Sequence, residues 1–584
     1  MPNIIFAVNP FIMKRICICA AVAIMLLAGF SPADGQDYAS YNSSILGSNV
    51  YLFNPSMKMN EIQVMLDTIF SRQSARSSEF TDERYALLFS PGNYDLDVKV
   101  GYYMQVVGLG HSPEDVVING AVRSNSRGRS VLVNFWRAVE NMTIIPSDTA
   151  LTWGVSQAAP MRRVYVKGNM NLFDIGYASG GFLADSKVDG VVSFGPQQQW
   201  FTRNSQVGEW VGGNWNMMFV GVPGAPDEDW PEKPYTTIEK TPLVREKPFL
   251  TNENGRFFVT VPGLKINSKG PDWLNNTDEE KVISIDEFYI ARPGIDNSGS
   301  INYALKEGKN LLFSPGIYNL SDPIKVTRKN TVLMGLGMPS LVPLNGKAAM
   351  EVSDVDGVTI SGILLDAGAQ RSEVLLQVGE PGSDKDHSAD PSFLFDVFIR
   401  VGGPHEGSVK SAVIINSNNT VIDHIWLWRA DHGNGVGWDK NRCANGLIVN
   451  GDNVTVYGLF NEHNQEYQTL WNGEGGKVYF YQSEMPYDPP TAEAWTHDGI
   501  NGYASYKVTD HVKTHEAWGL GIYNVFYQAP VIVDNAIETP EYLENFIHHM
   551  VIFWLNGNKE SEVKSIINGK GGPVNLSVRK ATLP

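Results

Sequence analysis

The sequence predicts an all-β fold of two tandem right-handed parallel β-helices, and three observations carry that expectation. At 584 residues the chain is too long for one compact core, so at least two domains are expected. A stretch near the start returns later. Residues 85–110 read YALLFSPGNYDLDVKVGYYMQVVGLG and residues 309–337 read KNLLFSPGIYNLSDPIKVTRKNTVLMGLG, so LLFSPG-x-Y and GLG recur in the same order. After each copy come short apolar strands, β-branched or aromatic, ending at Gly, Asn and Asp. In the second half these are 358–367, 412–430, 446–463 and 477–485. Val454 and Val478 stand about one coil of a solenoid apart. Apolar runs of this length also suit a β-sandwich; the coil spacing and the Asn/Gly corners favour the solenoid.

In chain order, residues 1–35 read as a signal peptide. Lys14 and Arg15 precede an apolar run from Ile16 to Phe30, and Ala33 and Gly35 suit a cleavage site before Gln36. Met13 is an alternative initiator. A secreted or periplasmic protein is expected, with no membrane span once the leader is removed, since the run is short for a crossing. Cys17 and Cys19 leave with the leader, so Cys443 remains alone and no internal disulfide can form. The first β-helix is placed at 36–235, opening on a helix over 59–70 (MNEIQVMLDTIF). A connector occupies 236–280, within a stretch rich in Pro, Lys and Glu. The second β-helix is placed at 281–584.

Net charge is −17 with no basic run, which argues against nucleic acid and anionic membranes. The same charge disfavours polyanionic substrates, whereas a neutral polysaccharide or oligosaccharide meets no such objection. A monomer is expected.

Two glutamates draw attention. Glu462 and Glu484 end successive strands one coil apart, so stacking would bring them within about 5 Å. Carboxyls that close resist double ionisation, and one pKa should rise. A neutral carboxylic acid is what protonation of a glycosidic oxygen requires. A solvated or salt-bridged surface pair would look the same from spacing alone. Trp426, Trp428, His432, Trp438, His463, Tyr467, Trp471, Tyr487 and Trp495 lie nearby in sequence, as in a sugar site, although aromatic core packing is the plain alternative for many. His424, His432 and His463 fit no compact metal motif, and the acidic stretch 386–396 lacks an EF-hand pattern, so no metal and no cofactor is expected.

These residues carry a specific resemblance. NEHNQEYQTLW (461–471) followed by YFYQSEMPYDPP (479–490) is similar to the active-site region of the exo-β-1,3-glucanases, or laminarinases, of glycoside hydrolase family 55. WLWRADHGNG (426–435), HEAWGLGIYN (515–524), WGVSQAAPMRRVYV (153–166), ASGGFLADSKVDG (178–190) and GPQQQWFTRN (195–204) resemble further family segments in the family's order. The resemblance implies a pectate-lyase-like double β-helix with the cleft where the solenoids meet, and inversion at the anomeric carbon. It implies Glu484 as general acid, Glu462 as its partner carboxylate, and Gln157 and Ser179 as holders of the nucleophilic water. Trp153, Gln198, Gln199, Trp428, His432, His463, Tyr467 and Tyr487 become candidate sugar-binding residues. Departures exist: MPYDPP replaces a Ser-Pro-Tyr-Tyr type segment, and QQQW carries an extra glutamine. Two other readings remain, a polysaccharide lyase on the same fold and a carbohydrate-binding solenoid without catalysis.

Overall fold

The computed structural model describes residues 44–584 apart from 127, 129 and 275–279; the expected leader over 1–35, with Cys17, Cys19 and both initiators, lies outside the described residues. The described chain is mostly β, and strands of neighbouring turns pair in parallel, as the coil spacing predicts. One stack runs from Val50–Phe53 through Tyr85–Phe89, Met104–Gly108, Arg137–Pro146, Pro160–Val166, Phe182–Ala184, Gln199–Arg203 and Asn216–Val220 to Tyr235–Ile238. The other starts at Phe288–Ala291 and runs through Thr359–Asp366, Phe393–Val401, Val421–Arg429, Thr455–Glu462, Gly476–Glu484 and His515–Phe526 to Ile547–Gly557. A second parallel sheet, from Ile324–Val326 to Ile537–Glu538, accompanies it. Val478 pairs with Val456 rather than Val454, so that coil is two residues shorter than the apolar spacing suggests.

The repeated LLFSPG segments become equivalent strands, Tyr85–Phe89 and Asn310–Phe313, each following a helix. Met59–Gln73 is the predicted helix, and it buries Ile62, Met65, Leu66 and Ile69, a single stripe at helical spacing. Ser298–Lys306 is too short to show such a stripe in sequence, but Asn297 caps it in a capping box with Ser300. The two copies touch. Arg84 donates to the Met338 carbonyl (3.2 Å) and to Ser340 Oγ (2.8 Å), and Gln105 Oε1 accepts from the Gly337 amide (2.7 Å). The connector carries antiparallel strands of its own, Phe249–Glu253 and Arg256–Val261, and the second of these also pairs with Lys281–Ser284 just beyond it. Leu250, Phe257 and Val259 from it pack with Ala86, Leu88, Leu312 and Met334, so it wedges between the starts of both stacks.

A recurring bend shapes the long strands. Gly362, Asp396, His424, Gly458, Phe480, Gly519 and His549 all have positive φ, each interrupting its strand at the corresponding rung. Asn141, Arg163, Asp185 and Asn204 do the same in the first stack. At Gly458 the reason for glycine is visible: a Cβ would meet the Phe182 and Phe201 rings of the first stack at 3.1–3.2 Å.

The stacks face one another across an aromatic layer that includes Phe182, Phe201, Trp136, Phe398, Trp426, Phe460 and Phe480. Within it lies a charge network. Arg162 bonds Asp396 and Asp423, Arg203 bonds Asp423 and Glu246, and Lys247 bonds Glu140 and Asp396, at 2.7–3.0 Å. Every side chain in it is at least nine-tenths buried. Taking such charges out of water is costly, so their geometry must be nearly ideal to offset the loss.

Candidate active site

The bend decides which residues look toward the other stack. Beyond it, alternation sends Ile425, Leu427, Leu459 and Tyr481 into the core of their own stack. Trp426, Phe460 and Gln482 form one outward column, and Trp428, Glu462, Glu484 and Tyr523 the next. Adjacent members stand one strand spacing apart, about 5 Å. The opposing column comes from the first stack: Gln157, Ser179, Gln198 and Trp215, each about one coil after the last. The Gln198 amide bonds the Ala178 carbonyl, and the Trp215 amide bonds the Gln198 carbonyl.

Contacts set the two columns against each other. Gln157 Nε2 donates to Glu462 Oε1 at 2.7 Å, and Trp215 stacks near Tyr523 with ring centres 5.0 Å apart. Ser179 and Gln198, between these contacts, therefore stand opposite Glu484. Ser179 Oγ donates to Gln157 Oε1 at 2.7 Å, and Trp426 Nε1 donates to Glu462 Oε2 at 2.8 Å. Both oxygens of Glu462 are thus acceptors, and Ser179, Gln157 and Glu462 form a chain of one polarity. Glu462 is 3% exposed. Burial pushes its pKa up to about 7, against the hydrogen bonds from Trp426, Gln482 and Gln157.

Glu484 is half-buried at the end of its strand. Its carboxyl is pushed well above the ordinary range, first by burial, then by the charges of Glu462 and Asp431. The Tyr487 hydroxyl donates to Glu484 Oε2, and Gln482 Nε2 approaches Oε1 at 3.4 Å. His463 packs against Tyr487 with ring centres 4.3 Å apart, and burial lowers its pKa. A glutamate with a raised pKa thus stands beside a partner carboxylate that is linked through Gln157 to Ser179 of the first stack.

Comparison with known proteins places this architecture. A model of the LAM55 pectate lyase-like domain matches residues 288–484, from the first strand of the second stack to Glu484 itself. The chain is 45% identical over 576 residues to the exo-beta-1,3-glucanase of Streptomyces sp. (strain SirexAA-E / ActE), covering 96% of this chain and 94% of that protein. The chain belongs to glycoside hydrolase family 55. The structure of sacteLam55A from Streptomyces sp. SirexAA-E superposes with a TM-score of 0.89 at 43% identity, covering 92% of this chain and 98% of that one. A glutamate-to-alanine variant of the same protein in complex with glucose gives 0.89 at 42%, covering 93% and 98%.

Family membership does not make every expected sugar contact available. Trp153 is fully buried, and Trp428 is 2% exposed against Phe80, Trp426 and His432, so their ring faces are committed to packing. Trp471 and Trp495 lie in the core of the second stack. Gln199 is buried and holds the Ser179 carbonyl at 2.7 Å, a scaffold role, whereas its neighbour Gln198 is half-buried. Tyr467 turns away to His497 (2.9 Å) and Tyr503. His432 has carboxylates on both ring nitrogens. Trp426, named in sequence only among the nearby aromatics, belongs to the site as a donor to Glu462, and Asp431 and Tyr523 carry no separate sequence signal. Alternation from Trp428 would have marked Trp426 as a site residue.

Trp426→Phe keeps the ring packing and deletes one donor to Glu462. About a tenfold fall in turnover is expected. The acid limb of the pH–rate profile should move upward, because the lost hydrogen bond favoured the ionised form. Kinetics across pH on a soluble glucan check this, and an unmoved acid limb would remove Glu462 from the titrating machinery.

Proposed function

We propose that this glycoside hydrolase cleaves β-1,3-glucan from the chain end with inversion, Glu484 acting as the general acid. The observation that carries the reading is the raised, half-buried Glu484 paired in register with Glu462, which Gln157 links to Ser179 of the other stack. Adjacent glutamates alone would suggest a retaining pair, since retention uses carboxyls about 5–5.5 Å apart. Glu462 instead accepts from Gln157 on one oxygen and from Trp426 on the other, which places it at the end of the chain that starts at Ser179. A water on Ser179 would instead donate along Ser179 and Gln157 toward Glu462, whose proton affinity is raised. Glu484 would meanwhile protonate the departing oxygen from the other side. Water and acid on opposite faces of the sugar is the inverting arrangement.

The close similarity to an exo-beta-1,3-glucanase over nearly the whole chain supports the substrate and the exo mode. We read the architecture as two right-handed β-helices at 36–235 and 281–584 joined by 236–280. We further read the protein as a monomer that acts outside the cytoplasm, after loss of the leader. No described helix is long and apolar enough to cross a membrane.

Incubation with laminarin, with products resolved by chromatography, tests this. Glucose as the dominant product from the earliest time points is expected. A ladder of intermediate oligosaccharides would contradict the exo mode, and release of unsaturated uronates from an acidic polymer would favour a lyase.

A further inference from the structure

Three residues beside the acid pair have no role in the chemistry above. Asp431 follows the strand that carries Trp426 and Trp428. Trp428, three residues before Asp431, pairs in register with Glu462, and the charge of Asp431 raises the pKa of both Glu462 and Glu484. One Asp431 oxygen lies 2.8 Å from His432 Nδ1, and the side chain is 30% exposed. His432 Nε2 lies 2.7 Å from Glu79 Oε1, and Glu79 is only 3% exposed. Glu79 sits on the 3-10 turn Arg76–Phe80, which precedes the first LLFSPG strand. The pair therefore bridges the two halves of the molecule. Phe80 and Trp428 pack on the imidazole with ring centres 5.9 and 5.2 Å away, so the ring has no freedom to turn.

We propose that Glu79 and His432 are positioning residues which hold Asp431 ionised at the mouth of the cleft, where its carboxylate accepts hydrogen bonds from hydroxyls of the bound glucan. Substrate contact by Asp431 rests on the glucanase reading; the clamp itself does not. A carboxylate is the strongest acceptor available for paired sugar hydroxyls. An unanchored one, so close to two other carboxyls, would swing away or take up a proton. Holding both imidazole nitrogens between carboxylates prevents this: the ring's pKa is pushed up to about 10 and that of Asp431 down to about 2. The charged and titratable groups around Glu484 are Glu462, Asp431, His432, His463, Tyr487, Tyr523, Tyr527 and the Arg429–Asp488 pair. Among them, Glu462 and Asp431 raise the acid by their charge.

The test uses the full chain with Glu79→Gln, Asp431→Asn and the double variant, each checked for an unchanged melting temperature. Titration of the His432 ring by NMR reads the clamp without any substrate. The ring should stay protonated past pH 8 in wild type and lose its proton at lower pH in either variant; a wild-type ring titrating near 6.5 overturns the proposal. On laminarin, Asp431→Asn should raise KM at least tenfold and move the alkaline limb of kcat/KM to lower pH. Glu79→Gln should act in the same direction on KM, and the double variant should be no worse than Asp431→Asn, as expected of residues acting as a unit. Additive losses, or an unmoved alkaline limb in Asp431→Asn, overturn it. A wild type inert on laminarin, with His432 protonated past pH 8, would fail the glucanase reading and leave the clamp standing.

Discussion

Glu484→Gln is expected to lower kcat on laminarin by about 10³-fold with little change in KM, because general acid catalysis typically contributes 10²–10⁴-fold and the amide cannot give up a proton. The glutamine keeps the shape and can still accept from Tyr487, so substrate binding should survive. The loss should shrink on an aryl β-glucoside whose leaving group departs without protonation. The same variant should be more stable than wild type at alkaline pH. Glu484 has a folded-state pKa above its unfolded value, so the folded protein is penalised as pH rises from the ordinary carboxylate range through that raised pKa. Below pH 4 both states are protonated and the penalty is absent. Thermal melts at pH 4 and pH 8 check this. A melting gain at pH 8 that vanishes at pH 4 is expected; equal melting at both would mean the acid is neither desolvated nor crowded by charge. Such a site trades stability for activity.

The second large effect concerns folding. Arg203 is fully buried and holds both Glu246 and Asp423, and Arg162 and Lys247 are the other cations of that network. Against these three stand four carboxylates, Glu140, Glu246, Asp396 and Asp423, among the described residues. Arg203→Met would leave two carboxylates facing too little positive charge in the layer between the stacks. A loss of roughly 3–5 kcal/mol is expected, the cost of breaking a buried pair from one side. Asp423→Asn should cost much less, because it brings carboxylates and cations into balance. Denaturant midpoints of the two variants beside wild type test the asymmetry. An Arg203→Met midpoint equal to that of wild type would show that the network does not hold the halves together.

How the site could be read from sequence follows from these particulars. Glu462 and Glu484 were legible because a solenoid turns sequence spacing into stacking, and one coil separates them. Gln157 and Ser179 lie about 300 residues away from them. No periodicity connects such positions, and only the family resemblance brought them in. The left-handed bends at Gly458 and Phe480 decide which side chains face the first stack, and Phe480 carries no glycine signal of that turn. The aromatics are ambiguous in sequence for a similar reason, and core packing holds for several of them, including the expected sugar contacts Trp153 and Trp428. Trp153, Trp428, Trp471 and Trp495 fill interiors, and a tryptophan in a core strand looks in sequence like a tryptophan in a cleft. The Glu79–His432 contact was invisible because it joins an unremarkable 3-10 turn to a loop 353 residues on. In the connector, abundant Pro, Lys and Glu masked apolar positions such as Leu250 and Val259, which anchor it to both stacks.

The central claim, acid on one face and water on the other, is tested most directly by proton NMR of a laminarin digest during the first minutes, before mutarotation. The α-anomer of glucose appearing first from a β-linked chain is the result this geometry predicts. The β-anomer appearing first would contradict it, since retention requires a carboxylate nucleophile and a covalent glycosyl-enzyme intermediate.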